Sequence, residues 1–145
     1  MPKGFPDLPP VWALGAALAS WALARGAPLA PLPPGMGRVL LAAGVGLCLW
    51  SALWFRRKRT PIMPHEAPRA LIVEGPFRIN RNPIYTGLTL ILVGWALVLG
   101  AASALIPAAL YPFLITRRFI LAEEAGLRAA FGAQAEAYLA RTRRW

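Results

Sequence analysis

The sequence predicts an all-α integral-membrane protein. About four transmembrane helices, a cytoplasmic connector loop and a cytoplasmic amphipathic helix near the C-terminus form a single domain over 1–145. Three observations predict it. Of the 145 residues, 57% are hydrophobic and 15% charged, against roughly 45–50% and 25% in ordinary soluble domains. The apolar residues gather in runs long enough to cross a bilayer. The basic residues, which give a net charge of +10, lie between those runs rather than along a polar face, which favours a membrane over a nucleic acid as partner.

The elements follow in order. Residues 8–24 form a first span, with Trp12 and Trp21 near its ends where amphipathic rings meet the headgroups; prolines rather than a small-residue cleavage site follow it, which argues against a signal peptide. Residues 36–55 are the clearest span, apolar except for Arg38, with Trp54 and Phe55 as interface anchors. From Ile84 to Ile115 there are 32 residues without a formal charge, too many for one crossing and few for two. Gly100-Ala101-Ala102-Ser103 is the natural turn, so the run divides into spans at about 83–99 and 104–119, with Pro107 and Pro112 expected to kink the second. Residues 56–82 are the connector, and 119–141 the final helix.

Four spans put both termini on one side. Lys3, Arg56, Arg57, Lys58, Arg59, Arg69, Arg78, Arg81, Arg117, Arg118, Arg128, Arg141, Arg143 and Arg144 then share that side, and Arg25 and Arg38 lie opposite. The positive-inside rule makes it the cytoplasmic side of a plasma membrane. The connector and the final helix face the same compartment, and their meeting place is the candidate site. Cys48, His65 and Asp7 are each the sole residue of their kind, which excludes a disulfide framework and leaves no metal site to propose.

Asn82-Pro83 reads as an N-cap with proline at the first helical position. The helix it opens points free N–H groups and a partial positive charge at the cytoplasm, with Arg78 and Arg81 just outside. Cations beside a positive helix end call for an anion, either a ligand carboxylate or phosphate or lipid headgroups. In the final helix Phe119, Leu127 and Phe131 mark an apolar face. Glu123 shares it, and requires Arg78, Arg81 or a ligand cation. Glu124 is expected to point outward and pair with Arg128.

Gly75-Pro76-Phe77, the run Arg81-Asn82-Pro83-Ile84-Tyr85-Thr86-Gly87, and Glu123-Glu124 followed by Phe131-Gly132 and Tyr138 resemble the isoprenylcysteine carboxyl methyltransferases. They resemble equally the related phospholipid methyltransferases and their small prokaryotic homologues. The resemblance covers about 60–145. It implies an S-adenosylmethionine-dependent methyltransferase with a lipid-like or small amphiphilic acceptor (carboxylate, thiol or amine) entering from the bilayer. It also implies a cofactor site lined by Val73, Gly75, Arg78, Arg81, Asn82, Tyr85, Glu123 and Glu124, with Arg81, Asn82 and Tyr85 as the catalytic set. Asn82 stands where the isoprenylcysteine enzymes carry histidine, so the acceptor does not carry over. The chemistry suits the residues, because displacement at a sulfonium asks for orientation and desolvation more than for a base. No Gly-x-Gly-x-x-Gly follows a strand, which excludes the soluble Rossmann type. His65 could touch the cofactor. The competing classes are a non-enzymatic small membrane protein and a membrane reductase using NADPH.

Overall fold

A computed structural model describes residues 7–64 and 66–145; Lys3 and His65 lie outside the described residues. Every regular element among the described residues is helical: α1 (Pro9–Gly26), α2 (Gly35–Arg57), α3 (Pro83–Leu99), α4 (Leu105–Ile115), α5 (Leu121–Phe131) and α6 (Ala133–Arg141). Short 3-10 turns occupy Gly75–Arg78 and Ala102–Ala104, and a π-turn occupies Thr116–Ile120. Two helical runs are long and apolar enough to cross a membrane: α2 and the continuous run Ala102–Phe131. At about 1.5 Å per residue, 30 residues exceed a hydrocarbon core of about 30 Å. The expected division at residue 119 falls within the π-turn that separates α4 from α5, and the helical run passes through it without a break. The chain continues from α4 through the π-turn into α5, and the final helix is instead broken at Gly132, between α5 and α6. Pro107 falls in the first turn of α4, where a missing N–H costs no intrahelical bond, so only Pro112 lies inside a helix.

Helix α3 packs against α1, α2 and α4. Its seam with α2 consists of small residues at seven-residue spacing. Gly37 and Gly44 of α2 meet Gly94 and Gly87 of α3 so closely that a Cβ on Gly44 would lie 2.5 Å from the Gly87 carbonyl oxygen. Small residues let backbones approach where lipid supplies no hydrophobic drive between helices. Helix α1 is tied on by side chains that reach backbone carbonyls. Ser20 donates to Ala104 O (2.8 Å), Trp95 to Ala17 O (3.1 Å) and Tyr111 to Pro9 O (3.0 Å). The core between these helices holds Leu92, Ala108, Tyr111, Ile115, Phe119 and Ile120. Outward faces carry Leu14, Leu18, Val39, Leu49, Leu53, Ile106, Leu110 and Phe113, all exposed.

At one end the two short loops close on each other: Leu32 N–H donates to Gly100 O and Ala102 N–H to Ala30 O, both at 2.9 Å. Gly100 makes this turn at φ +76°, a left-handed conformation that favours glycine. The connector, α5 and α6 lie at the other end. There Ile72, Phe77, Tyr138 and Leu139 form a second core, with Trp54, Phe55, Leu71 and Val73 packed on it. Phe55 meets Phe77 edge-on at 5.5 Å.

Candidate active site

Between the connector, the start of α3 and α5 lies a cavity of about 780 Å³, within the range of about 300–1,000 Å³ usual for ligand pockets. Its walls are largely apolar: Leu8, Pro9 and Pro10 ahead of and at the start of α1, Ile62, Met63 and Leu71 from the connector, Leu127 and Ala130 from α5. The polar groups gather on one side, where Arg81, Asn82, Tyr85, Glu123 and Glu124 line it. Five of the eight residues expected at the cofactor site thus come together. Val73, Gly75 and Arg78 do not line the cavity. Val73 packs on the second core and Arg78 is exposed. Gly75, at φ +58°, leaves room for the indole of Trp54, which any Cβ there would strike. Its requirement for glycine is one of backbone conformation and packing.

The local fold of the polar wall departs from the sequence reading in three ways. Asn82 occupies the N-cap position, but its side chain makes no capping bond. Its amide nitrogen donates instead to Arg144 O at 2.9 Å, and its backbone carbonyl accepts from Thr86 N–H. Asn80 closes the turn ahead of the helix by accepting from Asn82 N–H at 3.0 Å, the short side-chain-to-backbone link that favours Asn in turns. Its role is not legible from spacing alone.

The second departure concerns the glutamates. Glu124 does not point outward; only 5% of it is exposed. Arg128 pairs instead with Glu136 at 2.7 Å. Phe119 and Ile120 of the π-turn are both buried. Four residues on from each of them stand Glu123 and Glu124, so both carboxylates face the cavity side. Glu123 accepts a short hydrogen bond from the Tyr85 hydroxyl. Glu124 takes Arg81 and Arg144.

The third departure is Arg144. Its Nε and Nη2 donate to the two carboxylate oxygens of Glu124 at 2.8 and 2.9 Å, a bidentate charge-assisted pair that holds the Arg144 guanidinium above its ordinary pKa. Arg81 Nη1 stands 3.4 Å from the same carboxylate, and Arg81 Nε is buried without a hydrogen-bond partner. The basic, aromatic C-terminus is part of the family resemblance, but no spacing along the chain pairs Arg144 with Glu124. Tyr138, behind this wall, donates to Phe77 O at 2.8 Å, and burial pushes its hydroxyl up to about 12.

A family model for phospholipid methyltransferases matches residues 34–134, from the approach to α2 into α6. The chain belongs to the phospholipid methyltransferase family. No curated protein and no solved structure matches it. Family membership implies methyltransferase activity, and with two helices long and apolar enough to cross a bilayer it implies a membrane location. This family member carries the matched segment's Arg81, Tyr85, Glu123 and Glu124 on one cavity wall, while Arg144 reaches that wall from outside the matched segment.

Proposed function

We propose that the protein is an integral-membrane methyltransferase that uses S-adenosylmethionine and acts on an amphiphilic or lipid-like acceptor. The observation that carries this reading is the composition of the polar wall. An arginine with a buried, unpartnered Nε and a tyrosine-bound glutamate stand on one side of an otherwise apolar cavity. The Arg81 side chain lines the cavity and is partly exposed to it, so a ligand carboxylate there would gain a charge-assisted hydrogen bond. These residues fit the charged ends of the cofactor. Arg81, with the backbone N–H groups that the first turn of α3 leaves free of intrahelical partners, would hold the carboxylate. Glu123, oriented by Tyr85, would hold the α-ammonium. The bound cofactor supplies an activated methyl group. The chain's own work is to orient and to exclude water: Ile62, Met63 and Leu127 give the cavity apolar walls, and once a ligand fills it the charges of Arg81 and Glu123 would act at low dielectric. Asn82, its carboxamide committed to Arg144 O, positions the wall rather than contacting the ligand.

Titration calorimetry on detergent-purified protein tests this reading. S-adenosylhomocysteine is expected to bind and NADPH is not. Glu123→Gln should weaken S-adenosylhomocysteine by about tenfold or more, the scale of one hydrogen bond to a charged group. Binding of NADPH in place of S-adenosylhomocysteine would instead make the protein a reductase, and binding of neither would favour a non-enzymatic role.

The same reading has α1, α2, α3 and α4 crossing a plasma membrane, with the exposed apolar residues of α1, α2 and α4 facing lipid and the cavity at the cytoplasmic surface, open to an acceptor from the bilayer. Both termini are then cytoplasmic. With Cys48 replaced, a cysteine at Gln134→Cys should resist an impermeant thiol reagent added to intact cells, and one at Leu29→Cys should react. The reverse pattern would invert the topology.

A further inference from the structure

The segment 142–145 folds back beside the start of α3. Arg81 N–H donates to Arg143 O at 2.7 Å, Asn82 Nδ2 donates to Arg144 O at 2.9 Å, and Asn80 and Arg143 form a parallel bridge. These bonds involve the strap's backbone, so they place it without help from the Arg144 side chain. That side chain does something else: it takes both oxygens of Glu124.

We propose that Arg144 is a positioning residue that occupies Glu124 and thereby keeps the Arg81 guanidinium available to the ligand. Glu124 is a buried carboxylate between two guanidinium groups. A buried carboxylate requires a cationic partner, and a planar fork that offers two parallel N–H donors is the best available. Arg144 provides that fork. Arg81 is left at 3.4 Å with Nε unpartnered, close enough to balance charge and not committed as a donor. Without Arg144, Glu124 would have Arg81 at 3.4 Å as its nearest cation, Arg128 also acting on it while paired with Glu136, and Arg81 and Glu124 would close into the pair that Arg144 now makes. The arginine would then neutralise a structural carboxylate instead of a ligand.

The proposal rests on the methyltransferase reading for its ligand, and two measurements keep the two apart. The first is S-adenosylhomocysteine affinity in the full chain for the wild type, Arg144→Gln, Glu124→Gln and the double variant. Arg144→Gln should weaken binding about tenfold or more, as expected when one charge-assisted contact is lost. The double variant should recover to within about threefold of Glu124→Gln, a coupling that non-additive neighbours show. Removing the carboxylate frees Arg81 again, whereas a damaged strap would not be repaired by a second substitution. A double variant as weak as Arg144→Gln, or an Arg144→Gln that binds like wild type, overturns the proposal. Arg144→Lys, which keeps the charge without the fork, should fall between wild type and Arg144→Gln, and it carries the same test if the glutamine variant does not fold.

The second measurement needs no ligand. The Arg81 Nε–H resonance, assigned by its loss in Arg81→Lys, is expected to move downfield and exchange more slowly in Arg144→Gln as it bonds to Glu124. An unchanged resonance overturns the proposal. If the wild type does not bind S-adenosylhomocysteine at all, the methyltransferase reading fails, and this resonance still decides what Arg144 does.

Discussion

Arg81→Ala is expected to remove most S-adenosylhomocysteine binding while leaving the protein folded. Breaking a buried charged pair between protein and ligand typically costs about 2–5 kcal/mol, which corresponds to roughly thirtyfold to several-thousandfold in affinity. Folding should survive because the backbone N–H that bonds Arg143 O is retained by alanine, and Glu124 keeps its bidentate partner Arg144. The unpartnered Nε also means that the wild-type side chain contributes less to stability than its burial implies. Calorimetry and thermal unfolding on the same preparation separate the two effects. Unchanged affinity would remove the anion site from this helix end, and equal losses of affinity and stability would make Arg81 structural.

The seam between α2 and α3 carries the largest expected effect on the fold. Gly44→Leu would place a side chain where a Cβ already lies 2.5 Å from Gly87 O and 2.9 Å from Ile91 N. Those are backbone atoms of a helix, and no rotamer change moves them aside. Overpacking a tight contact costs about 1–3 kcal/mol and sometimes more; here the alternative is separation of the two helices. The consequence reaches the site, because α3 carries Tyr85 at its head and Arg81 just ahead of it. Gly46→Leu on the same helix is the control, since nothing lies within 4 Å of its Cβ position. Gly44→Leu should lower the unfolding temperature in detergent and lose S-adenosylhomocysteine binding with it, while Gly46→Leu should do neither. Similar behaviour of the two would show that the close approach is not needed.

Several features were legible in one dimension because they depend on local composition or on short spacing. The apolar runs, the turn at Gly100-Ala101-Ala102-Ser103 and the resemblance carried by Arg81 to Gly87 and the paired glutamates are of this kind. The Gly37–Gly44 and Gly87–Gly94 spacings were also present in the sequence, and a search for small residues at seven-residue intervals would have found the seam. Glu124 shows where such reading stops. Counting along an ideal α-helix assigned it to the surface with Arg128 as partner. Ile120, four residues earlier, is as buried as Phe119, so the same spacing also turns Glu124 inward, and what holds it there is Arg144 on the returning C-terminal segment, which no count along α5 includes. Asn82 shows a second limit. Asn-Pro is a sound capping signal, yet the carboxamide donates its Nδ2 to Arg144 O, 62 residues away, and its oxygen accepts no bond from the first turn of α3.

The sequence by itself determined the class of protein, an all-helical chain with runs suited to a bilayer, and the family to which its chemistry belongs. Both follow from properties that act locally: the cost of exposing apolar residues to water, the length needed to cross a hydrocarbon core, and residue types at fixed separation. The tertiary structure alone decided which charges meet. Arg81, Glu124 and Arg144 are brought together by the return of 142–145 along the start of α3, and Glu123 meets Tyr85 only once α5 lies across that helix. A buried carboxylate takes whichever cation the fold brings nearest, so its partner is fixed by three-dimensional proximity and cannot be read from distance along the chain.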